Sequence, residues 1–184
     1  TDLFNVFYYG SYHPLQGIEF IVQAAKILEF DEDIKFYIVG NGIEHDNVLS
    51  LARKLKVKNV EFIDWIPYIE LPSKIAAADI CLGGHFSSID KSKRVIAGKT
   101  FQFIAMKKPV IVGDNPANRE LFENKKNALL VEHANPDALA SAILELKNDL
   151  GLRSKIAEEG YRTFNEMCIP KIIGKQAVRY INFM

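Results

Sequence analysis

The stretch that decides the fold covers residues 98–114 and reads GKTFQFIAMKKPVIVGD. A glycine opens a predicted helix, which ends before a short apolar strand introduced by Pro109, and a Gly-Asp pair follows that strand. The first N–H groups of a helix have no partner within it, and together with the helix dipole they form a site for an anion, typically a phosphate. A second glycine-bearing loop runs from Gly10 to Gly17. Two such loops in one parallel α/β chain indicate a nucleotide with two phosphates and an attached group.

Strand and helix patterns alternate around this stretch. Short continuous apolar runs are typical of strands that are buried on both faces, and apolar stripes at helical spacing lie between them. The predicted strands are residues 4–9, 35–39, 60–63, 80–82, 110–112 and 128–131. The alternation predicts an α/β fold, a doubly wound parallel sheet with right-handed crossovers. Ligands bind such sheets beyond the carboxyl ends of the strands, where both glycine loops lie.

Only helices are predicted beyond residue 131. Pro136 followed by Asp137 marks a helix start, and the last segment, residues 173–184, carries an apolar face at helical spacing. That face either covers the sheet or contacts a partner domain. We expect residues 1–184 to form a single domain. Because the chain begins with Thr1 and Asp2 instead of a start methionine and a strand is predicted from Phe4, we expect it to be excised from a longer polypeptide.

Composition restricts the class of protein. Of the 184 residues, 48% are hydrophobic and 25% charged, and the 23 basic side chains balance the 23 acidic ones. A net charge of zero argues against a nucleic-acid binder. The apolar runs are too short to span a bilayer. Cys81 and Cys168 are far apart in sequence, and Cys81 sits in a predicted core strand. We interpret both as reduced thiols of a cytoplasmic protein. The four histidines lack metal-ligand spacing, so no metal site is predicted.

Five blocks, in this order and spacing, resemble the C-terminal, donor-binding domain of GT-B fold glycosyltransferases, closest to family 4, the group 1 glycosyltransferases. The blocks are residues 9–19, 36–42, 60–67 with 78–80, 99–112 with 118–120, and 127–131 with 136–139. The resemblance implies retaining transfer of a hexosyl or related group from a nucleotide-diphosphate sugar to an acceptor glycan or lipid-linked sugar, without a cofactor or catalytic metal. It implies a Rossmann-like donor half that is inactive alone and works with an N-terminal domain of the same enzyme. The implied setting is polysaccharide or glycolipid synthesis at the inner membrane face, with peripheral membrane contact.

Two positions near the diphosphate depart from the family pattern. The family often carries an arginine and a lysine where this chain has Ser11 and Gln16, so two cations are missing. Backbone N–H groups and the Ser11 hydroxyl still offer phosphate contacts. Lys99 is then the expected cation. The other interpretation, a solvated lysine at a helix start, is disfavoured by the helix dipole. The residues of these two loops that we expect to bind the donor are Gly10, Ser11, Gln16, Gly98, Lys99 and Thr100.

Gln102 stands where the family has a glutamate that grips the ribose. An amide accepts one hydrogen bond and donates another but loses charge assistance, and the alternative is an ordinary surface glutamine. The family's other marker, a glutamate eight positions earlier that contacts the donor sugar, is Arg94 here. The loop over residues 83–98 is therefore divergent, and no catalytic residue is assigned. The open candidates for the sugar contact are Ser87, Ser88 and Asp90.

The remaining candidates follow other strands. By resemblance, Trp65 and Ile66 flank the nucleobase, whereas the alternative for Trp65 is a core anchor. Gly40 and Asn41 lie near the base or form a plain turn. Glu120 is either a pocket residue or a carboxylate that favours a helix N-terminus.

Other functions remain open. The family's usual charged residues are absent at positions 11, 16, 94 and 102. Their absence suggests, as an alternative, a nucleotide-sugar-binding module that does not catalyse transfer. A GT-B-fold sugar-nucleotide epimerase needs carboxylates and histidines in the cleft, and no convincing set is present. A partner scaffold without a ligand is disfavoured by two phosphate-ready loops. For the leading interpretation, the resemblance implies that donor positioning and leaving-group stabilisation do much of the work.

Overall fold

A parallel six-stranded sheet organises the protein in the computed structural model, which describes residues 3–182. The strands are β1 (Phe4–Tyr9), β2 (Ile34–Val39), β3 (Val60–Ile63), β4 (Ile80–Gly84), β5 (Val110–Gly113) and β6 (Leu129–Val131). Their order is β3-β2-β1-β4-β5-β6, and every neighbouring pair is parallel. The predicted doubly wound sheet is confirmed, with shifts of one or two residues at some strand ends.

Eight α-helices accompany these strands within residues 3–182. They are α1 (Ile18–Ile27), α2 (His45–Leu55), α3 (Leu71–Ala76), α4 (Gly98–Ala105), α5 (Pro116–Arg119), α6 (Pro136–Asn148), α7 (Leu150–Thr163) and α8 (Pro170–Asn182). A π-helical turn, Phe164–Cys168, joins α7 to α8.

Two hydrophobic cores cover the two faces of the sheet. On β1, Phe4, Val6 and Tyr8 face one core, whereas Phe7 faces the other, as the two-residue period of a strand requires. The first core is completed by α1, α2 and α6, and the second by α3 and α4. Because both faces are covered, the strands read as continuous apolar runs, which is why the sequence located them.

The strand order fixes the place where a ligand can enter. The chain reverses direction across the sheet between β1 and β4, which are adjacent in space but separated by two strands in sequence. The loops that follow β1 and β4 therefore run in opposite directions, which opens a crevice between them at the carboxyl edge of the sheet. The first loop contains Gly10, and the second leads into α4.

The C-terminal helix departs from one sequence expectation. Its large apolar side chains are exposed, with Ile173 at 52% and Ile181 at 65% of their full accessible surface, so α8 does not cover the sheet. It packs mainly against the preceding π-helical turn. Met184, Thr1 and Asp2 lie outside the described residues. Nothing within residues 3–182 shows what the apolar face of α8 contacts.

Three further observations concern the part of the chain that the structure describes. Cys81 and Cys168 are both free thiols, as predicted. The described residues include no cluster of three or more His, Cys, Asp or Glu side chains suited to a metal ion. None of the helices in this part is both long and apolar enough to cross a membrane.

Candidate functional site

A cavity of about 520 Å³ opens at the carboxyl edge of β1, β2 and β3, within the size range of ligand pockets. Six residues predicted from the sequence line it: Gly10, Ser11, Gly40, Asn41, Trp65 and Ile66. A smaller cavity of about 220 Å³, lined by Asn5, Phe7 and Lys74 among others, contains none of the predicted residues. We therefore treat the larger cavity as the candidate site.

Close backbone contacts join the first two loops. The Gly10 N–H donates to Val39 O at 3.0 Å, and the Gly40 N–H donates to Ile63 O at 2.8 Å. Gly40 has a φ of +140°, and a Cβ added there would lie 1.9 Å from Gly10 O. Only glycine fits at position 40, so this residue sets the distance between the β1 and β2 loops rather than forming a plain turn.

The Lys99 side chain is buried, with 8% of its surface exposed. Its Nζ donates to Gln16 Oε1 at 2.6 Å and to Tyr8 Oη at 3.1 Å, and it lies 4.2 Å from the centre of the Tyr8 ring. Among the described residues, no carboxylate forms an ion pair with it. The alternative of a solvated lysine is therefore wrong.

Burial lowers the pKa of Lys99 to about 7, because the charged amine has lost water without gaining an anion. An ammonium has three donors, and Gln16 and Tyr8 take two, which leaves one for a ligand. A Cβ at Gly10 would lie 2.9 Å from Nζ, and one at Gly84 would lie 3.9 Å from it. Glycines at both positions keep side chains away from this amine.

Where the family often has a lysine, this chain has Gln16. Its side chain does not add a second cation but holds the Lys99 amine in position. Its Oε1 accepts from Lys99 and also from the Tyr8 hydroxyl, at 3.1 Å. Tyr8 is fully buried, and burial raises the pKa of its hydroxyl well above the ordinary value, so it remains a neutral donor. The Lys99 amine, the Gln16 amide and the Tyr8 hydroxyl thus form one hydrogen-bonded cluster beside the loop that follows β1, and none of the three carries a negative charge.

The N-terminus of α4 is open. None of the described side chains caps it, Gly98 is exposed, and a Cβ added at Gly98 would meet no described atom within 4 Å. The helix spans Gly98–Ala105, and its first N–H groups have no partner within the helix. Thr100, in contrast, is fully buried and donates its hydroxyl to Gly83 O at 3.4 Å, so its side chain serves the fold.

Gln102 lies on α4 and is half-buried. Its Oε1 is buried and makes no hydrogen bond within residues 3–182. Such an unpaired buried oxygen is uncommon in folded proteins. Gln102 does not line the candidate cavity, and its contact with a ribose stays a prediction.

Trp65 is 74% exposed, so the alternative of a core anchor is wrong. Tyr68, at 76% exposure, lines the same end of the cavity. The Asp64 carboxylate lies beside them, with its Oδ1 3.1 Å from Nε2 of His45, the first residue of α2. This end of the cavity therefore combines exposed aromatic rings with one carboxylate.

Several residues of this site are not among those expected from the sequence. Tyr8 is hidden in a strand pattern that reads as core. Asp64 and Tyr68 flank the expected Trp65 and Ile66, so a wider window after β3 would have included them. His45 is distant in sequence and reaches Asp64 only because β2 and β3 are neighbours.

The divergent loop borders a second cavity of about 410 Å³, lined by Asp90, Lys93, Arg94 and Glu120 among others. Glu120 is exposed there and does not line the first cavity. Ser87 is buried and donates its hydroxyl to Leu15 O at 3.0 Å, which removes it from the candidates for the sugar contact. Ser88 and Asp90 remain exposed.

A family model described as "Glycosyl transferases group 1" matches residues 4–149, most of the chain. The chain belongs to the group 1 glycosyltransferases. This confirms the resemblance carried by the five sequence blocks, all of which lie inside the matched range.

Two curated glycosyltransferases are similar to this chain at low sequence identity. The uncharacterized glycosyltransferase MJ1178 of Methanocaldococcus jannaschii is 24% identical over 151 residues, which are 82% of this chain and 40% of that protein. The lipopolysaccharide core biosynthesis glycosyltransferase LpsE of Rhizobium meliloti is 23% identical over 155 residues, 84% of this chain and 42% of LpsE. The chain spans less than half the length of these relatives.

Solved structures share the fold. Anabaena Alr3699/HepE, in complex with UDP, superposes with a TM-score of 0.86 at 18% identity, over all of this chain and 50% of that one. S. aureus TarM, in a complex that includes UDP, gives 0.79 at 18% identity, over 96% and 35%. The C-terminal domain of LpcC from Francisella tularensis gives 0.71 at 22% identity, over 89% and 84%. At these identities the similarity shows the fold alone.

The close approach at Gly40 predicts a strong effect of adding one methyl group. Gly40→Ala should destabilise the protein by about 2–4 kcal/mol in urea unfolding, because of steric overlap and backbone strain. Gly98→Ala is the matched control, since it adds the same methyl group to open space at a helix start. It should change stability by less than about 1 kcal/mol. Equal effects of the two substitutions would contradict the tight packing of the loops.

The lowered pKa of Lys99 predicts that the free energy of unfolding depends on pH. This pKa is about 7 in the folded state and near the ordinary lysine value of 10.5 when unfolded, so between these pH values the unfolded chain binds more protons. Stability therefore rises with pH through this window. Lys99→Met should remove that rise and stabilise the protein by about 1–3 kcal/mol at pH 6–7. Gln16 and Tyr8 stay paired with each other in this variant.

The measurement is urea unfolding from pH 6 to 10 on the wild type, on Lys99→Met and on Lys54→Met, which removes an exposed lysine of α2. Lys54→Met should follow the wild-type curve. Parallel curves for wild type and Lys99→Met would mean that Lys99 has an ordinary pKa.

Proposed function

We propose that this chain binds a nucleotide-diphosphate sugar as the donor half of a group 1 glycosyltransferase, with the diphosphate against Lys99. The observation that carries this proposal is the buried ammonium without an anionic partner. A lysine buried among neutral groups costs stability, and it is retained where a ligand supplies the missing charge. The family membership supports a sugar transferase as the setting.

Three groups around the crevice suit a diphosphate. Lys99 has one free donor, the N-terminus of α4 is uncapped, and Ser11 in the loop after β1 presents a hydroxyl. All are donors, and none is a carboxylate. Such a set attracts a ligand with two negative phosphates and repels a cation.

The same donors can act on the leaving group. When the bond between the sugar and the diphosphate breaks, negative charge grows on the terminal phosphate oxygen. An ammonium and a helix N-terminus held in place beforehand stabilise that charge without reorganising at the moment of reaction. Gln16 contributes indirectly, since its amide oxygen fixes the position of the Lys99 amine.

The finer features remain part of the proposal. Retention of configuration, a hexosyl donor and a glycan or lipid-linked acceptor are supported by family resemblance. The proposed acceptor contacts lie on an N-terminal domain of the same enzyme, and this chain alone is inactive in transfer. This fits a chain that spans less than half of its relatives.

A cytoplasmic location with peripheral membrane contact is also proposed. The surface that supports it is α8, where Lys171, Lys175 and Arg179 occur without an acidic residue between Pro170 and Asn182, and Ile173 and Ile181 are exposed. Basic residues together with exposed apolar residues are typical of helices that lie at a membrane interface.

A second candidate is a nucleotide-sugar-binding module that does not transfer sugar. It is favoured by Arg94, which replaces the expected glutamate and lines the cavity beside Glu120 and Asp90. A full-length protein that binds a donor but neither hydrolyses nor transfers it would support this candidate. An epimerase is less well supported, since Asp64, which among residues 3–182 is the one carboxylate lining the larger cavity, is hydrogen-bonded to His45.

Calorimetric titration of the chain with nucleotide-diphosphate sugars tests the donor site. Lys99→Met should weaken binding about 10- to 100-fold, because it removes a charge-assisted hydrogen bond to phosphate. Lys54→Met should bind as the wild type does. Equal affinity of Lys99→Met and wild type, with both variants folded, would overturn the placement of the diphosphate at Lys99.

A further inference from the structure

The position of Lys99 determines which end of the cavity receives the nucleobase. Lys99 lies between β1 and β4, whereas Asp64, Trp65 and Tyr68 follow β3. Neighbouring strands are about 4.8 Å apart, so β3 lies about 10 Å from β1. If the diphosphate contacts Lys99, as the proposed function requires, the nucleoside extends across β2 and its base reaches the β3 end.

The β3 end has the composition of a base-binding site. Trp65 and Tyr68 are both about three-quarters exposed and offer ring faces for stacking. Among the described residues that line the cavity, Asp64 alone is charged. The side-chain oxygen Oδ1 of Asn41 already accepts from the N–H of Gly42 at 2.6 Å, whereas Asp64 offers two carboxylate oxygens to the cavity.

Asp64 is held by a neighbour. His45 Nε2 lies 3.1 Å from Oδ1 of the carboxylate, and the His45 side chain is largely buried. The imidazole ring in turn lies 5.4 Å from the ring of buried Tyr12. A carboxylate has about four acceptor positions, so one bond from His45 leaves Oδ2 and part of Oδ1 free.

A carboxylate discriminates between bases by their N–H groups. Guanine presents two adjacent donors, N1–H and the N2 amino group, which match the two carboxylate oxygens. Uracil presents one N–H between two carbonyl oxygens, and a carboxylate placed there faces at least one of them. Adenine and cytosine offer an amino group next to an acceptor nitrogen. Aromatic rings stacked on the base exclude water, which increases the difference in binding free energy between guanine and the other bases.

We propose that Asp64 selects a guanine nucleotide, with N1–H and the N2 amino group donating to its carboxylate between Trp65 and Tyr68. His45 is a positioning residue that holds this carboxylate. The donor class would then be a guanosine-diphosphate sugar. This inference rests on the proposed function, but the preference for guanine can be disproved while the donor site at Lys99 stands.

The test is calorimetric titration of the chain with GDP, UDP, ADP and CDP at one pH and salt concentration. GDP should bind at least about tenfold more tightly than UDP, because paired hydrogen bonds to a carboxylate exceed one bond offset by a repelled carbonyl. Asp64→Asn should reduce this preference about tenfold or more. Its amide loses one acceptor and gains a donor that suits uracil, so UDP affinity should be unchanged or higher.

The matched control is Asp46→Asn. Asp46 is fully exposed, and its carboxylate lies 3.6 Å from the other ring nitrogen of His45, so the substitution removes the same charge from the same neighbourhood. It should leave the ratio of GDP to UDP affinity unchanged. His45→Ala should lower that ratio, and His45→Gln, which keeps a donor for Asp64, should restore much of it. A merely structural role of His45 would not move the ratio.

The outcomes separate the two proposals. Binding of UDP that depends on Lys99, without a preference for GDP, would overturn the selection of guanine and leave the donor site in place. An unchanged ratio in Asp64→Asn would also overturn it. Failure of every nucleoside diphosphate to bind the folded chain would overturn both proposals.

Discussion

The buried ammonium of Lys99 is the feature on which the rest of the site depends. It comes from α4, passes beneath the β1 loop and contacts the Gln16 amide and the Tyr8 hydroxyl. Both partners are neutral, so its positive charge is not balanced within the described residues. A fold that is selected for stability alone would place a methionine or leucine here, since apolar packing avoids the desolvation cost. The uncompensated charge is explained most simply by an anionic ligand.

The sheet topology supplies the place for that ligand, and the glycines preserve the space. The chain reverses at β1 and β4, and Gly10 and Gly84 stand on either side of the Lys99 amine. Gly40 brings the β2 loop against the β1 loop, which opens the cavity towards β3. The Lys99 amine therefore lies beside Gly10, and the cavity extends from Gly10 to the aromatic side chains that follow β3. A nucleotide with phosphates at one end and a base at the other has this arrangement of charge and shape.

The sequence was a good guide to the sheet and a partial guide to the site. Strands buried on both faces are continuous apolar runs, so all six strands were predictable from their pattern. The glycine loops were predictable because their positions follow from strand ends. The burial of Lys99 was not, because a lysine at a helix start is usually solvated, and its contact with Tyr8 joins residues 91 positions apart. The exposure of Trp65 and the pairing of His45 with Asp64 likewise depend on tertiary packing that no local pattern encodes.

The measurement that tests this account most directly is the pKa of Lys99 itself, with and without a ligand. NMR titration of the chain with labelled lysine side chains, assigned through Lys99→Met, reports the Lys99 signal in the free protein and with a bound nucleotide-diphosphate sugar. The account predicts a pKa of about 7 in the free chain, set by burial, and a clear rise when the diphosphate supplies its negative charge. A pKa near 10.5 in the free chain, or one that does not change on binding, would contradict it.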